Sequence, residues 1–198
     1  MIKIKYISSY VPKNYIKEKE LKKKLGKNYK KIINYTGFKK IHVLDKKTDE
    51  NEFIFKSIKN FLKTSKINKK KIESLIYSSH TRQNEMPIFS ASIQENINLS
   101  NNILGYDLPN SCSGFTNGLI HAYSHIKSGL VNNVLLICCD MHSRKINSQS
   151  INLKSVIGDG LSCIYIEKDK NNIFHCDFGI DGKNNSILKI DQKNVLTM

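Results

Sequence analysis

Hydrophobic and polar residues alternate at the start of the chain, where Ile2, Ile4 and Tyr6 are separated by lysines. A period of two residues is typical of a strand with one buried face, so the pattern predicts a strand over residues 2–7. Later apolar runs bounded by polar residues predict further strands at 75–77, 103–108, 134–139, 161–166 and 173–178. Because the run 134–139 is continuously apolar, we expect it to be a central strand that is buried on both faces.

Helical periodicity lies between these strands. Ile54, Ile58 and Phe61 recur at helical spacing and predict an amphipathic helix over 51–64, after a capping pair formed by Asp49 and Glu52. Shorter patterns predict helices at 18–25, at 29–35 with Gly37 as a left-handed cap, after Pro87, and from about 112 to 128. Strands that alternate with helices indicate an α/β protein with a layered αβα core.

Composition and charge narrow the possible functions. The 198 residues are 39% hydrophobic, which fits a folded protein, and their formal net charge is +15. Of the 32 basic residues only Arg82 and Arg144 are arginine, and the lysines are spread along the chain. Nucleic-acid recognition favours arginine, so this charge indicates a solvated surface, although it could attract an acidic partner such as an acyl carrier protein. Without a secretory signal pattern or an apolar run of about 20 residues, the sequence predicts a cytoplasmic protein.

The five cysteines are odd in number and include no C-x-x-C pair, which disfavours a disulfide framework and a zinc site. Cys138, Cys139 and Cys163 fall in predicted strands and are expected in the core. His121 and His125 are four residues apart on a predicted helix, a spacing that can bind a metal ion. Since the sequence shows no third ligand, we predict packed or exposed histidines and no metal site.

Cys112 is the strongest candidate for chemistry. It follows a predicted strand and opens a predicted helix, where backbone N–H groups and the helix dipole favour negative charge and so the reactive thiolate. Gly114 leaves room for a substrate to approach the turn. A small hydrophobic core residue explains a cysteine at this position equally well, and position alone leaves the two interpretations open.

Five motifs in order resemble β-ketoacyl-ACP synthase III across nearly the whole chain. The motifs are Tyr6–Asn14, Thr36–Phe38, Asn110–Phe115, Lys127–Gly129 with the following 133–137, and Gly158–Gly160. The resemblance implies the first αβα half of a thiolase-like fold with a mixed sheet, the second half being largely missing. It places the N-terminal half at residues 1–169 and the start of the second half at 170–198.

The resemblance also implies a reaction, with Cys112 as the nucleophile. The cysteine would take an acyl group from acyl-CoA or acyl-ACP, and malonyl-ACP would then lose carbon dioxide to give a carbanion that attacks the acyl-enzyme. This is a step of fatty-acid or related acyl-chain synthesis; it uses no cofactor beyond these substrates and takes place in a homodimer. The family's catalytic His and Asn would lie beyond Met198, so we expect the chain alone to be inactive in condensation.

The donor site departs from the family pattern. Where the family has a Trp and an Arg that hold coenzyme A, this chain has Lys31 and Tyr35, and Ile151 stands at the place of a further Arg. We therefore expect Lys31 and Tyr35 to contact the donor and an acyl carrier protein to serve better than acetyl-CoA. Met86 matches a position that gates the acyl pocket, although a packing role explains it equally well.

Three further expectations complete the sequence-based picture. Gly158–Gly160 is predicted to be a tight turn that supports the nucleophile helix, in preference to a phosphate site. One alternative function is a same-fold acyltransferase that passes the acyl group to an alcohol or an amine. Another is a truncated, non-catalytic homologue that binds a partner.

Overall fold

The computed structural model describes residues 1–82, 85–110, 112–146, 151–171, 175–187, 189–190 and 196–197. The chain divides into two units, which we describe separately. The sheet unit combines residues 1–10, 51–140 and 161–177. The second unit combines residues 11–50, 141–160 and 178–198. No helix among the described residues is long and apolar enough to cross a membrane.

Nine strands and six α-helices are described, together with three short 3-10 turns, Gly26–Asn28, Lys69–Lys71 and His142–Arg144. In chain order the elements are β1 (Ile2–Tyr10), β2 (Tyr15–Lys17), α1 (Glu18–Leu25), α2 (Tyr29–Thr36), β3 (Lys40–His42), α3 (Glu50–Ser65), β4 (Ser74–Ser78), α4 (Phe89–Ile97), β5 (Leu104–Leu108), α5 (Gly114–Lys127), β6 (Asn133–Met141), α6 (Ile151–Lys154), β7 (Asp159–Lys168), β8 (Lys189–Ile190) and β9 (Leu196–Thr197).

The sheet unit is built on five strands in the order β1-β7-β6-β4-β5. Strand β4 runs parallel to both β5 and β6, whereas β1 is antiparallel to β7, so the sheet is mixed as expected. The predicted central strand is confirmed, because β6 lies in the middle of the sheet and its residues from Asn133 to Ile137 are buried. The parallel strands therefore end together at one edge, after Ser78 and Leu108.

Helix α5 packs closely on this sheet because its buried face consists of small residues. Gly114, Gly118 and Ala122 follow one another at intervals of four, and Ile126 continues the same face. A Cβ atom at Gly118 would lie 2.6 Å from Leu136 Cδ1, closer than real Cβ contacts come. A larger residue at this position would therefore require the Leu136 side chain to move, and glycine allows the close approach to β6 without that change.

The second unit has its own small core and a short ladder that the sequence did not predict. Strands β2 and β3 pair antiparallel, and Leu21, Leu25 and Ile41 form a buried cluster beside them. Helix α2 ends as predicted at Gly37, whose φ of 69° is left-handed. The strand predicted over 173–178 is wrong for residues 175–178, which form no regular element, while Ile173 and Phe174 lie outside the described residues.

The Gly158–Gly160 motif has a different role from the one predicted. Strand β7 begins at Asp159, whose buried carboxylate accepts hydrogen bonds from Leu44 N at 2.7 Å and Ser143 N at 2.8 Å. A Cβ atom at Gly158 would lie 2.7 Å from the carbonyl oxygen of His42, so a glycine is needed there. The motif thus joins the two segments of the second unit that contain Leu44 and Ser143.

Candidate functional site

Cys112 lies in the turn between β5 and α5, and its side chain is exposed. The sequence placed it in the first turn of the helix, but the helix begins two residues later, at Gly114. The neighbouring Ser111 lies outside the described residues. Exposure argues against the alternative of a core cysteine, because a residue that fills a core is shielded from solvent.

Two contacts hold the start of α5 in place behind Cys112. The carbonyl oxygen of Ser113 accepts hydrogen bonds from Asn117 N and Thr116 Oγ1, each at 2.9 Å. Gly114 lies against the last residue of β4, since a Cβ atom there would be 2.5 Å from Ser78 Oγ. The turn is thereby held at the carboxyl ends of the parallel strands, the edge at which open α/β sheets bind their ligands.

Asp140 fastens the loop that follows β4 to the same edge. One of its carboxylate oxygens accepts hydrogen bonds from His80 N at 2.8 Å and Thr81 N at 3.1 Å. Two residues earlier, burial and the nearby Asp140 charge raise the pKa of the Cys138 thiol to about 12. The sequence did not single out Asp140, because a lone Asp after an apolar run carries no signal of its partners.

Asp107 on β5 attaches the loop that carries Met86 to the sheet. Its carboxylate accepts hydrogen bonds from Phe89 N at 2.7 Å and Ser90 N at 2.9 Å, the first two residues of α4, and lies 3.4 Å from Arg82 Nη1. Met86 itself is 87% exposed, and its peptide bond to Pro87 is cis. So exposed a side chain does not support the alternative that Met86 has a packing role.

The predicted donor residues lie in the second unit. Lys31 and Tyr35 are one turn apart on α2, so they share a face of the helix, and both are exposed, Tyr35 by 83%. The side chain of Ile151 lies outside the described residues. The same unit contains a cavity of about 430 Å³ whose lining includes four basic residues, Lys24, Lys46, Arg144 and Lys154.

The three strand cysteines and the histidine pair lie on the elements where the sequence placed them. Cys139 and Cys163 are buried and Cys138 is half-buried against the sheet core. His121 and His125 are half-buried against Tyr106, and burial together with the adjacent His121 lowers the pKa of His125. Burial raises the pKa of Tyr106 to about 12. Among the described residues no group of three His, Cys, Asp or Glu side chains is placed to hold a metal ion.

Comparison with protein families and known proteins points in one direction. Residues 106–182, which include Cys112, match the model of the 3-oxoacyl-[acyl-carrier-protein] synthase III family. A Campylobacter jejuni protein assigned as 3-oxoacyl-[acyl-carrier-protein] synthase 3 is 32% identical over 157 residues, which are 79% of this chain and 43% of the relative. A β-ketoacyl-[acyl-carrier-protein] synthase III of Neisseria gonorrhoeae is 25% identical over 95% of this chain and 59% of its own.

Solved structures extend the comparison to the fold. The 3-oxoacyl-[acyl-carrier-protein] synthase III of Aquifex aeolicus superposes with a TM-score of 0.86 at 23% identity, over 100% of this chain and 64% of that one. The chain spans about half the length of the curated relatives it matches. Its sequence and its mixed α/β sheet thus identify it as a thiolase-like relative of 3-oxoacyl-[acyl-carrier-protein] synthase III.

Proposed function

We propose that this chain carries the acyl-accepting site of a condensing enzyme of the 3-oxoacyl-[acyl-carrier-protein] synthase III type, with Cys112 as the nucleophile. The observation that supports this most directly is the place of Cys112. It is an exposed thiol in the turn before α5, at the carboxyl edge of the parallel strands and inside the segment that matches the family model.

The chemistry at this turn is thioester exchange. The Cys112 thiolate attacks the carbonyl carbon of an acyl thioester, a tetrahedral oxyanion forms, and its collapse expels the donor thiolate and leaves the acyl group on the Cys112 sulfur. The first backbone N–H groups of α5 have no partner within the helix, and its dipole is positive at this end, so both can stabilise negative charge that develops during the reaction at this turn. Hydrogen-bond donors near the developing oxyanion would stabilise it in the same way.

In the second half-reaction, malonyl-ACP loses carbon dioxide and the resulting carbanion attacks the carbonyl carbon of the acyl-cysteine. A carbon–carbon bond forms, the bond to sulfur breaks, and the Cys112 thiolate is regenerated. We place this reaction in the synthesis of fatty acids or related acyl chains, with an acyl carrier protein as partner and a homodimer as the complete enzyme. It needs thioester substrates and no further cofactor.

Lys31, Tyr35 and Met86 are the proposed substrate-binding residues. An exposed aromatic ring such as Tyr35 can stack on a flat group, and the ammonium group of Lys31 can meet a phosphate. Met86 presents a flexible apolar side chain suited to an acyl chain of variable shape. Since the arginines that hold coenzyme A in the family are not matched, carrier-protein donors should serve better than acetyl-CoA.

The proposal is tested by intact-protein mass spectrometry after incubation with acyl-ACP and, separately, acyl-CoA. We expect one acyl adduct per chain, faster from acyl-ACP, and none in Cys112→Ser. Cys176→Ser is the matched control, because Cys176 is the other exposed cysteine of the described residues, and it should label normally. An adduct that persists in Cys112→Ser, or that maps to Cys176 or Cys138, would exclude Cys112 as the nucleophile.

A further inference from the structure

The cavity of the second unit is lined by three separate segments of the chain. They are the segment with Asn14, Ile16 and Lys24, the segment 43–46 after β3, and residues from 143–157. Helix α1 packs against α6, which brings the first segment to the third. The cavity volume of about 430 Å³ falls within the range of small-molecule sites, which runs from about 300 to 1,000 Å³. The fold therefore builds a cavity of the size that a small ligand needs.

Arg144 is held in a fixed orientation in the lining of this cavity. Its Nη2 donates hydrogen bonds to two backbone carbonyl oxygens, that of Asp45 at 3.1 Å and that of Thr48 at 2.5 Å. A guanidinium has five N–H donors in one plane, so these two bonds set the plane and use the protons of Nη2. The N–H groups on Nη1 and Nε have no acceptor among the described residues. They remain as donors for a ligand.

Positive charge collects at the cavity without a matching number of acidic groups. The described lining contains four basic side chains and one carboxylate, that of Asp45. Both oxygens of this carboxylate already accept hydrogen bonds, from Asn14 Nδ2 at 3.1 Å and from Lys47 N at 2.8 Å. No ion pair with a described residue is formed by three of the basic side chains, Lys24, Lys46 and Arg144. A concave surface with charge of one sign attracts ligands of the opposite sign.

The remaining wall of the cavity is largely apolar. It includes Ile16, Val43 and Ile157, which are half-buried, and Leu44 and Ile146, which are buried. Inorganic anions gain nothing from such a wall, whereas a ligand with both an anionic group and an apolar part can use it. Among anionic groups a phosphate fits the donors best, because its oxygens accept parallel hydrogen bonds from a guanidinium and its second charge can be met by an ammonium group.

We propose that this cavity binds a small phosphate monoester whose organic part is a short apolar group. The phosphate oxygens accept hydrogen bonds from Nη1 and Nε of Arg144, and the ammonium groups of Lys24 and Lys46 balance the remaining charge. The apolar part packs against Ile16 and Ile157. The proposed donor residues on α2 are not part of the lining, so this inference is independent of the proposed acyl transfer.

The test is a calorimetric titration of the whole chain with butyl phosphate at low salt, where charges are weakly screened. We expect saturable binding of one molecule per chain and a higher Tm with ligand, since a ligand that binds only the native state stabilises it. Inorganic phosphate should bind at least about tenfold more weakly, because each buried methylene group contributes about fourfold to affinity. Butanol, which has the apolar part and no charge, should not bind measurably.

Substitutions of neighbouring lysines separate this site from a general effect of charge. Lys24→Gln and Lys46→Gln should each weaken binding about three- to fivefold, the strength of an exposed charge pair. The matched controls are Lys23→Gln and Lys47→Gln, which remove the same charge from exposed residues outside the lining and should bind as the parent chain does. Arg144→Lys keeps the charge but loses the planar donors, and it should weaken binding by about tenfold or more.

Three results would overturn the proposal. The first is the absence of saturable binding up to about 10 mM butyl phosphate, a range that detects even a millimolar Kd. The second is an equal loss of affinity in the control lysine variants, which would show a response to overall charge alone. The third is inorganic phosphate that binds as tightly as butyl phosphate. Thermal unfolding of each variant without ligand checks its fold, and the exposed lysine pairs keep the test decisive if Arg144→Lys unfolds.

Discussion

The surroundings of each sulfur atom decide what the cysteines of this chain can do. Cys112 and Cys176 are exposed, whereas Cys139 and Cys163 are 2% and 0% exposed. Burial also raises the pKa of the Cys163 and Cys138 thiols, the latter to about 12. Since the thiolate is the nucleophile, these differences should separate the cysteines by reactivity.

Alkylation of the native chain by iodoacetamide at pH 8 should label Cys112 and Cys176 and spare the other three. With a pKa of about 12, only about one Cys138 thiol in ten thousand is ionised at this pH. Raising the pH to 10 increases that fraction to about one in a hundred, so labelling of Cys138 should rise but stay slow. Peptide mass spectrometry measures each site, and chain unfolded in guanidinium provides full labelling as the reference. Native labelling of Cys138 as fast as that of Cys176 would contradict the prediction.

Gly114 is the residue whose replacement should disturb the start of α5 most directly. In Gly114→Ala the new Cβ would lie 2.5 Å from Ser78 Oγ, and such overpacking costs about 1–3 kcal/mol. Gly114 is the first residue of α5, so alanine's better helix propensity offsets less than the about 1 kcal/mol found in helix interiors, and we expect a net loss of about 1–2 kcal/mol in the free energy of unfolding. Urea denaturation measures this loss, and acylation of Cys112 should slow in parallel.

Ser78→Ala tests whether the contact with Ser78 Oγ causes the loss of stability in Gly114→Ala. Ser78 Oγ is buried and has no hydrogen-bond partner among the described residues, so Ser78→Ala alone should cost little. In the double variant the next contact of the new Cβ is 3.6 Å, an ordinary distance, and stability should return. If Gly114→Ala lowers the free energy of unfolding by the same amount with and without Ser78→Ala, the two positions do not interact.

At the level of the elements, α4 begins without a cap of its own. Its N-cap residue, Ile88, makes no side-chain hydrogen bond, and the first two helical N–H groups bond instead to Asp107 on β5. A strand residue thus accepts the hydrogen bonds of helical N–H groups that an N-cap side chain usually accepts. The loop with Met86 is attached to the sheet by the same carboxylate.

Asp107→Ala should lower the free energy of unfolding by about 2 kcal/mol, because it leaves two N–H groups without their acceptor. Asp107→Asn keeps one acceptor oxygen and should lose less. Arg82→Ala removes only the longer 3.4 Å contact and serves as the comparison, with an expected loss below about 1 kcal/mol. Urea unfolding ranks the three variants. A larger loss in Arg82→Ala than in Asp107→Ala would refute the capping role.

Local patterns predicted the elements well where the signal lies within one segment. The helix at 18–25 and the cap at Gly37 are found as predicted, and α3 begins one residue before the predicted range. Strand β2 was missed because its three residues are specified by pairing with β3, about 25 residues later, and by no pattern of their own. Cys112 could be found from its strand-to-helix position. The contacts of Tyr106 and Asp107 could not be predicted from the sequence, because they depend on how β5 packs against α5 and α4.

At the level of the whole molecule, the net charge of +15 should affect how fast an acidic carrier protein arrives. If acyl-ACP loads Cys112, raising the salt from 50 to 500 mM should lower the second-order loading rate by about tenfold or more, because screening removes the long-range attraction. An uncharged N-acetylcysteamine thioester should load at a rate that changes little. Stopped-flow or quenched mass spectrometry measures both donors. A carrier-protein rate that is insensitive to salt would argue against electrostatic steering.

The pairing of β1 with β7 also sets an order of events during synthesis. Ser9 and Ser162 touch through their hydroxyl oxygens at 2.8 Å although they are 153 residues apart in the sequence. At about 5–20 residues per second, the ribosome needs about 8–30 s to make the chain between them. Strand β1 must therefore wait for a late partner, and Ile2, which is buried in the folded chain, stays uncovered until β7 has been made. Slowing translation in this interval should lengthen the time during which the nascent chain binds chaperones or aggregates.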